Sequence, residues 1–381
     1  MSRERTYDQP AYLDPNTGLW GSTESDLWIA GQPPVPASFA GTIAQGNTIT
    51  ITGTNFSKNR QTQVFYDDFQ SGTVGAAISS GGTDWITLAG QFPYVYEADG
   101  FSAGKKCAYL DMRGDHAGYN AFDFITGLVF SDGFNELHLD CFINHNFIFS
   151  DQGANPDDPN NKMFRFGSTT DLSVPQPDLL LTTTSYATEW TQAVGVGVAV
   201  GFSALALKDD ATWKKFYMAL KLHPTEGFRL VKSSSDDVIG DDDYTGEAAI
   251  GSWSGATNHY ASPTGVFSRK SWFGENLATD PTGLLKIKKV YLPFFQRIYQ
   301  ISTQRIFGFW LNDSYERIVL STLTDPDDAR RYGVTQPNLS RTNNRWQFTC
   351  EMGDLPPTGN IYAHIVNKDG YCSAAPLLVR S

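Results

Sequence analysis

Charge is scarce in this sequence and unbalanced. Only 18% of the 381 residues are Asp, Glu, Lys or Arg, and acids exceed bases to leave a formal charge of -12. A polyanion would be repelled by such a surface, which excludes nucleic acid as the principal ligand. The basic cluster Lys286, Lys288 and Lys289 is expected to form the solvated face of one strand. Long apolar runs are absent too. None approaches the ~20 residues of a membrane-spanning helix, and the opening Met1-Ser2-Arg3-Glu4-Arg5-Thr6 leads into no secretory apolar stretch. The expectation is synthesis in a cytoplasm, a soluble product and no membrane insertion.

Cysteine and histidine are equally sparse. Cys107, Cys141, Cys350 and Cys372 show no C-x-x-C spacing and are too few for a disulfide framework in so long a chain. Reduced, mostly buried thiols are expected. A Cys350–Cys372 bridge would require the two to lie on facing strands, which spacing does not establish. The 6 histidines include no H-E-x-x-H, and there is no G-x-S-x-G elbow and no phosphate-cradling glycine loop. These absences count against the common hydrolases. A helical period appears nowhere at length, so the class is all-β.

What is present are aromatics, at 13%, and 35 glycines, the composition of short strands joined by many turns. The length allows more than one core. Residues 1–34 contain Pro10, Pro15, Gly18, Gly21, Pro33 and Pro34, which break any period, together with Tyr12, Trp20 and Trp28. An extended arm is expected there, with these three aromatics as its attachment residues; it either packs on its own chain or docks on a neighbouring subunit. Thr48-Ile49-Thr50-Ile51-Thr52 alternates strictly and predicts a half-buried strand. Gln63 to Gly75 then marks a change of character: Val64-Phe65-Tyr66 suits a buried strand, Asp67-Asp68 its end, and Gly72 and Gly75 the turns that follow.

Further strands are predicted over Leu137–Ile143, over Val194–Val200 and over Phe216–Leu222, each with one face on a core. Toward the C-terminus come Glu316–Leu320, Trp346–Cys350, the alternating Ile361, Ala363 and Ile365, a turn at Asn367-Lys368-Asp369-Gly370, and Ser373–Val379. Only two strands fit between Ser38 and Asp67, too few to close a sandwich of their own. The N-terminal strands are therefore expected to pair with strands from 305–381.

Several of these segments carry resemblances. I-T-I-T-G-T-N-F, Ile49 to Phe56, and the closing G-x-I-Y-A-H-I-V-N-K-D-G-Y-C-S resemble immunoglobulin-like domains of the plexin and transcription-factor type. The D-D-F-x-S-G-x-x-G run from Asp67 resembles the opening strand of concanavalin A-like, or laminin-G-like, jelly rolls of tailed-phage virion proteins. Trp213–Leu222 with Phe228-Arg229-Leu230 resembles a central hairpin of that fold, and Lys286–Phe294 its closing strand. The resemblance implies a jelly roll at 62–304 inserted into a small sandwich made of 35–61 and 305–381. Two unrelated linkers flanking a jelly roll are the alternative.

For chemistry, Glu136-Leu137-His138-Leu139-Asp140 faintly resembles the acidic strand of jelly-roll glucanases. Carboxylates four apart on a regular strand stand about 13 Å apart, whereas retaining hydrolysis needs roughly 5–5.5 Å and inversion about 6.5–9.5 Å. No catalytic residue is assigned, and a solvated polar face is expected. Asp157 and Asp158, and Asp241 and Asp242, lie in acidic loops whose oxygens suit calcium, an ion the resemblance implies near a sugar site. Trp253, His259, Tyr260 and Trp272 are the candidates for stacking on a glycan. The function expected is that of a non-enzymatic virion surface protein, as capsid decoration, head fibre or tail-associated adhesin. Its expected partners are other virion proteins, further copies of itself and cell-surface glycans. A polysaccharide depolymerase and a bacterial lectin are the competing readings.

Overall fold

The computed structural model describes residues 32–56, 64–80, 84–88, 93–111, 126–134, 136–149, 161–167, 170, 172, 179–183, 190–193, 213–223, 227–234, 286–292, 294–295, 300–314, 316–326, 328–329, 333–367 and 372–381. In chain order the strands begin with β1 (Val35–Ala40), β2 (Thr48–Thr54), β3 (Phe65–Asp67), β4 (Ile86–Thr87), β5 (Val95–Ser102) and β6 (Lys105–Asp111). Next are β7 (Thr126–Phe134), β8 (Glu136–Phe149), β9 (Asn161–Gly167), β10 (Leu179–Thr183) and β11 (Trp190–Ala193). The hairpin of β12 (Trp213–His223) and β13 (Gly227–Ser234) precedes β14 (Ile287–Tyr291), β15 (Phe294–Phe295) and β16 (Gln300–Asn312). The last are β17 (Arg317–Ser321), β18 (Val334–Thr335), β19 (Asn338–Arg341), β20 (Arg345–Thr349), β21 (Ile361–Val366) and β22 (Leu377–Arg380).

The protein is all-β, a jelly-roll sandwich inserted into a small immunoglobulin-like sandwich. One unit comprises Met1–Tyr66 with Ser314–Ser381, and the other Asp67–Asp313. The second unit extends beyond 304 because β16 runs unbroken to Asn312. The arm expected at 1–34, with Tyr12, Trp20 and Trp28, lies outside the described residues up to position 31.

In the small sandwich, sheet order β1-β2-β20-β19 faces β18-β17-β21-β22. The alternation of β2 decides its orientation. Ile49 and Ile51 are fully buried, while the threonines between them look outward. Their partners on β20 are Phe348 and Trp346, which join Ile318, Leu320, Ile361, Ala363 and Ile365 in one core. The two ends of the chain are also tied by polar bonds. Gln45 donates to the Glu351 carboxylate at 2.7 Å across 306 positions of sequence, and the amides of Gly46 and Cys350 bond across the same gap at 2.8 and 2.7 Å. All four cysteines are free; Cys107, Cys141 and Cys350 are buried.

The inserted unit has two sheets, in the orders β11-β10-β9-β14-β7-β4 and β13-β12-β8-β16-β6-β5. Strand β8 forms the centre of the second. Leu137, Leu139, Cys141 and Ile143 are buried along one side, matched by Leu311 and Ile306 on β16. Alternation in β16 fails at Gly308, which takes φ +63°. Register steps three residues there, from Phe307 to Trp310, against two on β8. This bulge returns Ile306, Phe309 and Leu311 to the core side and puts Phe307 and Trp310 together on the other.

The D-D-F-x-S-G run is a fixed corner of this unit. Asp67 ends β3 and accepts the Phe69 amide at 2.7 Å on one oxygen and the Trp85 indole N–H at 2.7 Å on the other. Phe69, at φ +59°, stacks on Trp85 with ring centres 6.1 Å apart, and Trp85 meets Phe309 edge-on at 5.1 Å. Gln70 then bonds both the amide and the carbonyl of Lys106. One expectation is corrected: Lys289 is buried. Its Nζ lies 5.4 Å from the centre of the Tyr291 ring, because β14 runs between β7 and β9 and has no solvated edge.

Burial raises the Asp67 carboxyl above its ordinary 3.8, and its two hydrogen bonds only partly offset this. The native state then holds the proton more tightly than the unfolded chain, so Asp67's contribution is fully present below about 3.8 and is lost as pH rises through the native value. Denaturant midpoints of wild type and Asp67→Asn between about pH 3 and pH 7 should show wild type losing ground as pH rises. A difference that grows in wild type's favour with pH would mean that the hydrogen bonds outweigh the burial.

Candidate functional site

The side of the β8 sheet that bears Phe307 and Trp310 is polar and aromatic. Register aligns Val95, Tyr109, Arg305, Asn144 and Trp213 in one row across β5, β6, β16, β8 and β12. Phe307 and Phe142 stand opposite one another in the next row of this face, Trp310 and Asp140 in the one after, and Asn312 and His138 beyond them. The polar strand face expected at His138 and Asp140 is therefore real, but it is not solvated. Both residues are fully buried, as are Trp310 and Phe307. Alternation reveals that a strand has two faces; it does not reveal whether the second is covered.

Burial of Asp140 is balanced by Lys215 on β12, whose ammonium lies 2.6 Å from its carboxylate, with side-chain exposures of 2% and 0%. The same ammonium sits 4.6 Å from the centre of the Phe142 ring. An isolated buried charge costs several kcal/mol, so neither partner tolerates the loss of the other. Glu136 lies opposite Lys221, and register runs without a break from there to the Asn144–Trp213 pair. No bulge brings Glu136 toward Asp140, and the about 13 Å spacing of a regular strand stands.

Toward β5 the face becomes half-exposed. Arg305 grips Glu97 through Nε at 2.6 Å and Nη2 at 2.9 Å, a fork that holds the guanidinium charged. Its Cζ lies 4.6 Å from the Tyr109 ring centre, and the Tyr109 hydroxyl donates to Asp111 at 2.9 Å. Cys107 is directed at Glu97, Sγ to Oε2 3.6 Å. Burial above all, and the neighbouring carboxylate, push its pKa well up, so the thiol stays protonated and is no nucleophile.

An aromatic cluster completes the face. Phe101 lies flat on Phe307 with ring centres 3.9 Å apart, and touches Phe142 at 5.1 Å and Trp213 at 4.8 Å. The Trp213 indole donates to the Gly100 carbonyl at 3.2 Å. β5 reaches this far because its pairing with β6 shifts register between Glu97 and Ser102, and because Gly100 has no side chain: a Cβ there would stand 2.2 Å from the Cys107 sulfur. Bulge and glycine together bend the end of β5 over the sheet.

The binding and metal residues expected from sequence are Trp253, His259, Tyr260 and Trp272, and Asp157, Asp158, Asp241 and Asp242. All lie outside the described residues, as does the strand expected at 194–200. Among the described residues no group of three or more His, Cys, Asp or Glu could hold a metal ion, and no helix is long and apolar enough to cross a membrane. The sequence reading missed Glu97, Phe101, Lys215 and Arg305. Lys215 carried a signal, a cation at an alternating position between Trp213 and Tyr217; the others did not.

No family model matches the chain, and no curated protein sequence does. Solved structures do match. The cellulose induced protein Cip1 aligns at 10% identity over 66% of this chain and 97% of its own, with a TM-score of 0.33. The botulinum neurotoxin serotype G binding domain aligns at 7% over 80% and 73%, with a TM-score of 0.31. The CBM2 module of the evolved Dit of Lactobacillus casei BL23 phage J-1 aligns at 11% over 67% and 98%, with a TM-score of 0.22.

Replacing Lys215 by Met removes the cation but keeps much of the side-chain volume, taking from Asp140 the ammonium that faces it at 2.6 Å. The unfolding transition of the inserted unit should fall by about 3–5 kcal/mol. Lys215→Met with Asp140→Leu should recover most of that loss in a double-mutant cycle followed by denaturant unfolding. A single variant as stable as wild type would show that the pair is dispensable.

Proposed function

We propose that this chain is a non-enzymatic structural protein on the surface of a tailed-phage virion, whose jelly roll binds glycans on the half-exposed face around Arg305. The observation that carries the binding reading is the state of the acids. Glu97 is held by Arg305 and Asp140 by Lys215, an arrangement of ion pairs rather than of two carboxyl groups facing each other across a substrate cleft, as glycoside hydrolysis requires. The same residues suit recognition. Glu97, Arg305, Tyr109 and Asp111 offer fixed donors and acceptors for hydroxyls, and Trp213 and Phe101, both half-buried, offer ring surface on which a sugar stacks.

Attachment is the part of the proposal that concerns the small sandwich. Asn55 and Asn367, both buried, donate their side-chain amides to the Gln32 carbonyl, Asn367 at 2.8 Å. The point at which residues 1–31 join the sandwich is thereby fixed. An arm rooted in this way transmits the orientation of whatever it docks on, which is what a decorating protein needs. Deleting residues 1–31 should abolish incorporation into particles while leaving thermal unfolding unchanged; normal incorporation of the truncated protein would remove the arm from this account.

The binding reading is tested by incubating the purified protein with polysaccharide from the host envelope. Retention without fragments is expected, weakened at least about tenfold by Arg305→Ala or Trp213→Ala, and unchanged by Glu136→Gln. Repeating the assay with a calcium chelator tests the acidic loops. Fragments that accumulate with time and vanish with Glu136→Gln would replace this proposal with a depolymerase.

A further inference from the structure

We infer that Glu97 sets the class of glycan taken by the Arg305 face: it fills the guanidinium fork that would otherwise grip an acidic sugar, and so selects neutral sugars. This deepens the glycan reading and rests on it. A guanidinium grips a carboxylate or phosphate through paired, parallel N–H groups. At Arg305 that pair is Nε–H and Nη2–H, and both are taken by the carboxylate oxygens of Glu97, at 2.6 and 2.9 Å. A uronic acid, a sialic acid or a phosphate-bearing glycan would have to displace an acid that the chain itself supplies, or approach a cation that is already neutralised.

Glu97 is also held from its other side. The Cys107 thiol points at Oε2 from 3.6 Å, and Gly100 leaves the carboxylate its place, since a Cβ there would stand 2.7 Å from the same oxygen. The Tyr109 ring lies against the guanidinium, its centre 4.6 Å from Cζ, and Nη1 is turned toward the Thr303 hydroxyl at 3.4 Å. The pair spans one strand, because β6 lies between β5 and β16. The fork uses only part of a guanidinium's donors. Those that remain give single hydrogen bonds, which suit hydroxyl and acetamido oxygens that bring no charge. With the whole chain at -12, the surrounding field repels an anion rather than drawing it in. Neutral hexoses and N-acetylhexosamines, stacked on Trp213 and Phe101, are the class that fits.

The test uses the full chain and polysaccharide from the host envelope, separated on an anion exchanger into neutral and acidic fractions. Wild type should be retained by the neutral fraction and pass the acidic one. Glu97→Gln keeps the shape of the side chain but takes the counter-charge from Arg305. It should bind the acidic fraction at least about tenfold more tightly than wild type, with a gain that added salt erases and that Glu97→Gln combined with Arg305→Ala lacks. A pair that only braced the strands would lose stability on substitution and gain no binding, so a folded Glu97→Gln protein without the gain would overturn the inference. Wild type retained by the acidic fraction as firmly as by the neutral one would overturn it too, while leaving the glycan reading in place; that comparison needs no variant. Retention by neither fraction would remove the glycan reading and this inference with it.

Discussion

Two segments from opposite ends of the chain close one sandwich at the β2–β20 ladder, and neither has a core without the other. Ile49 and Ile51 have only threonines beside them on β2; their apolar partners are Phe348, Trp346 and the β17–β21 pair. The entropy of bringing such distant segments together grows only with the logarithm of the separating length, so a large insertion is tolerated. Its cost falls on rate. Contacts of high sequence separation form late, and the unpaired edges they leave are exposed meanwhile. The polar links Gln45–Glu351 and Gly46–Cys350 extend the same seam past the strand ends, so closure does not rest on burial alone.

Buried charge recurs in both units with the same logic. In the small sandwich Arg341 on β19 meets Glu316 at 2.6 Å, with exposures of 1% and 0%, and its Cζ lies 5.4 Å from the centre of the Trp346 ring. In the insert Lys215 meets Asp140. Such pairs contribute little net stability against well-packed apolar residues, because desolvation consumes most of the attraction. Their effect is on alternatives. A one-residue slip of β12 on β8 would carry Lys215 to the opposite face from Asp140 and strand both charges. The pair penalises the wrong register more than it stabilises the right one.

Legibility in the sequence followed how local the cause was. The Thr-Ile-Thr-Ile-Thr alternation gave β2 its faces, the alternation of Phe216–Leu222 gave β12, and the shortage of strands before Asp67 pointed to pairing with the far end of the chain. Asp67 was legible as a strand end but not as the acceptor of Trp85, because that bond depends on where a later residue returns. The burial of His138, Asp140 and Lys289 was equally hidden: a polar residue at an alternating position looks solvated until the sheet is placed in its surroundings. The bulge at Gly308 could be suspected from the failed alternation of Phe307 to Trp310, yet its direction could not. Glu97 and Arg305 meet only because β6 and β16 are neighbours, a fact of topology that no local pattern contains.

The polar face therefore has a gradient that bears on what it can do. At its centre Asp140, His138 and Trp310 are enclosed and do not reach a ligand. At its β5 side Arg305 and Glu97 keep side-chain exposures of 24% and 26%, so they touch solvent while still holding one another. The fork between them limits rotation of both side chains, and less entropy is lost when a ligand uses the remaining lone pairs and N–H groups. A proton-transfer site needs the reverse arrangement, an acid whose protonation changes easily during reaction. Rigid, neutralised and partly wet, the Arg305 region suits the recognition role proposed for it, while the enclosed Asp140–Lys215 pair ties β8 and β12 in register.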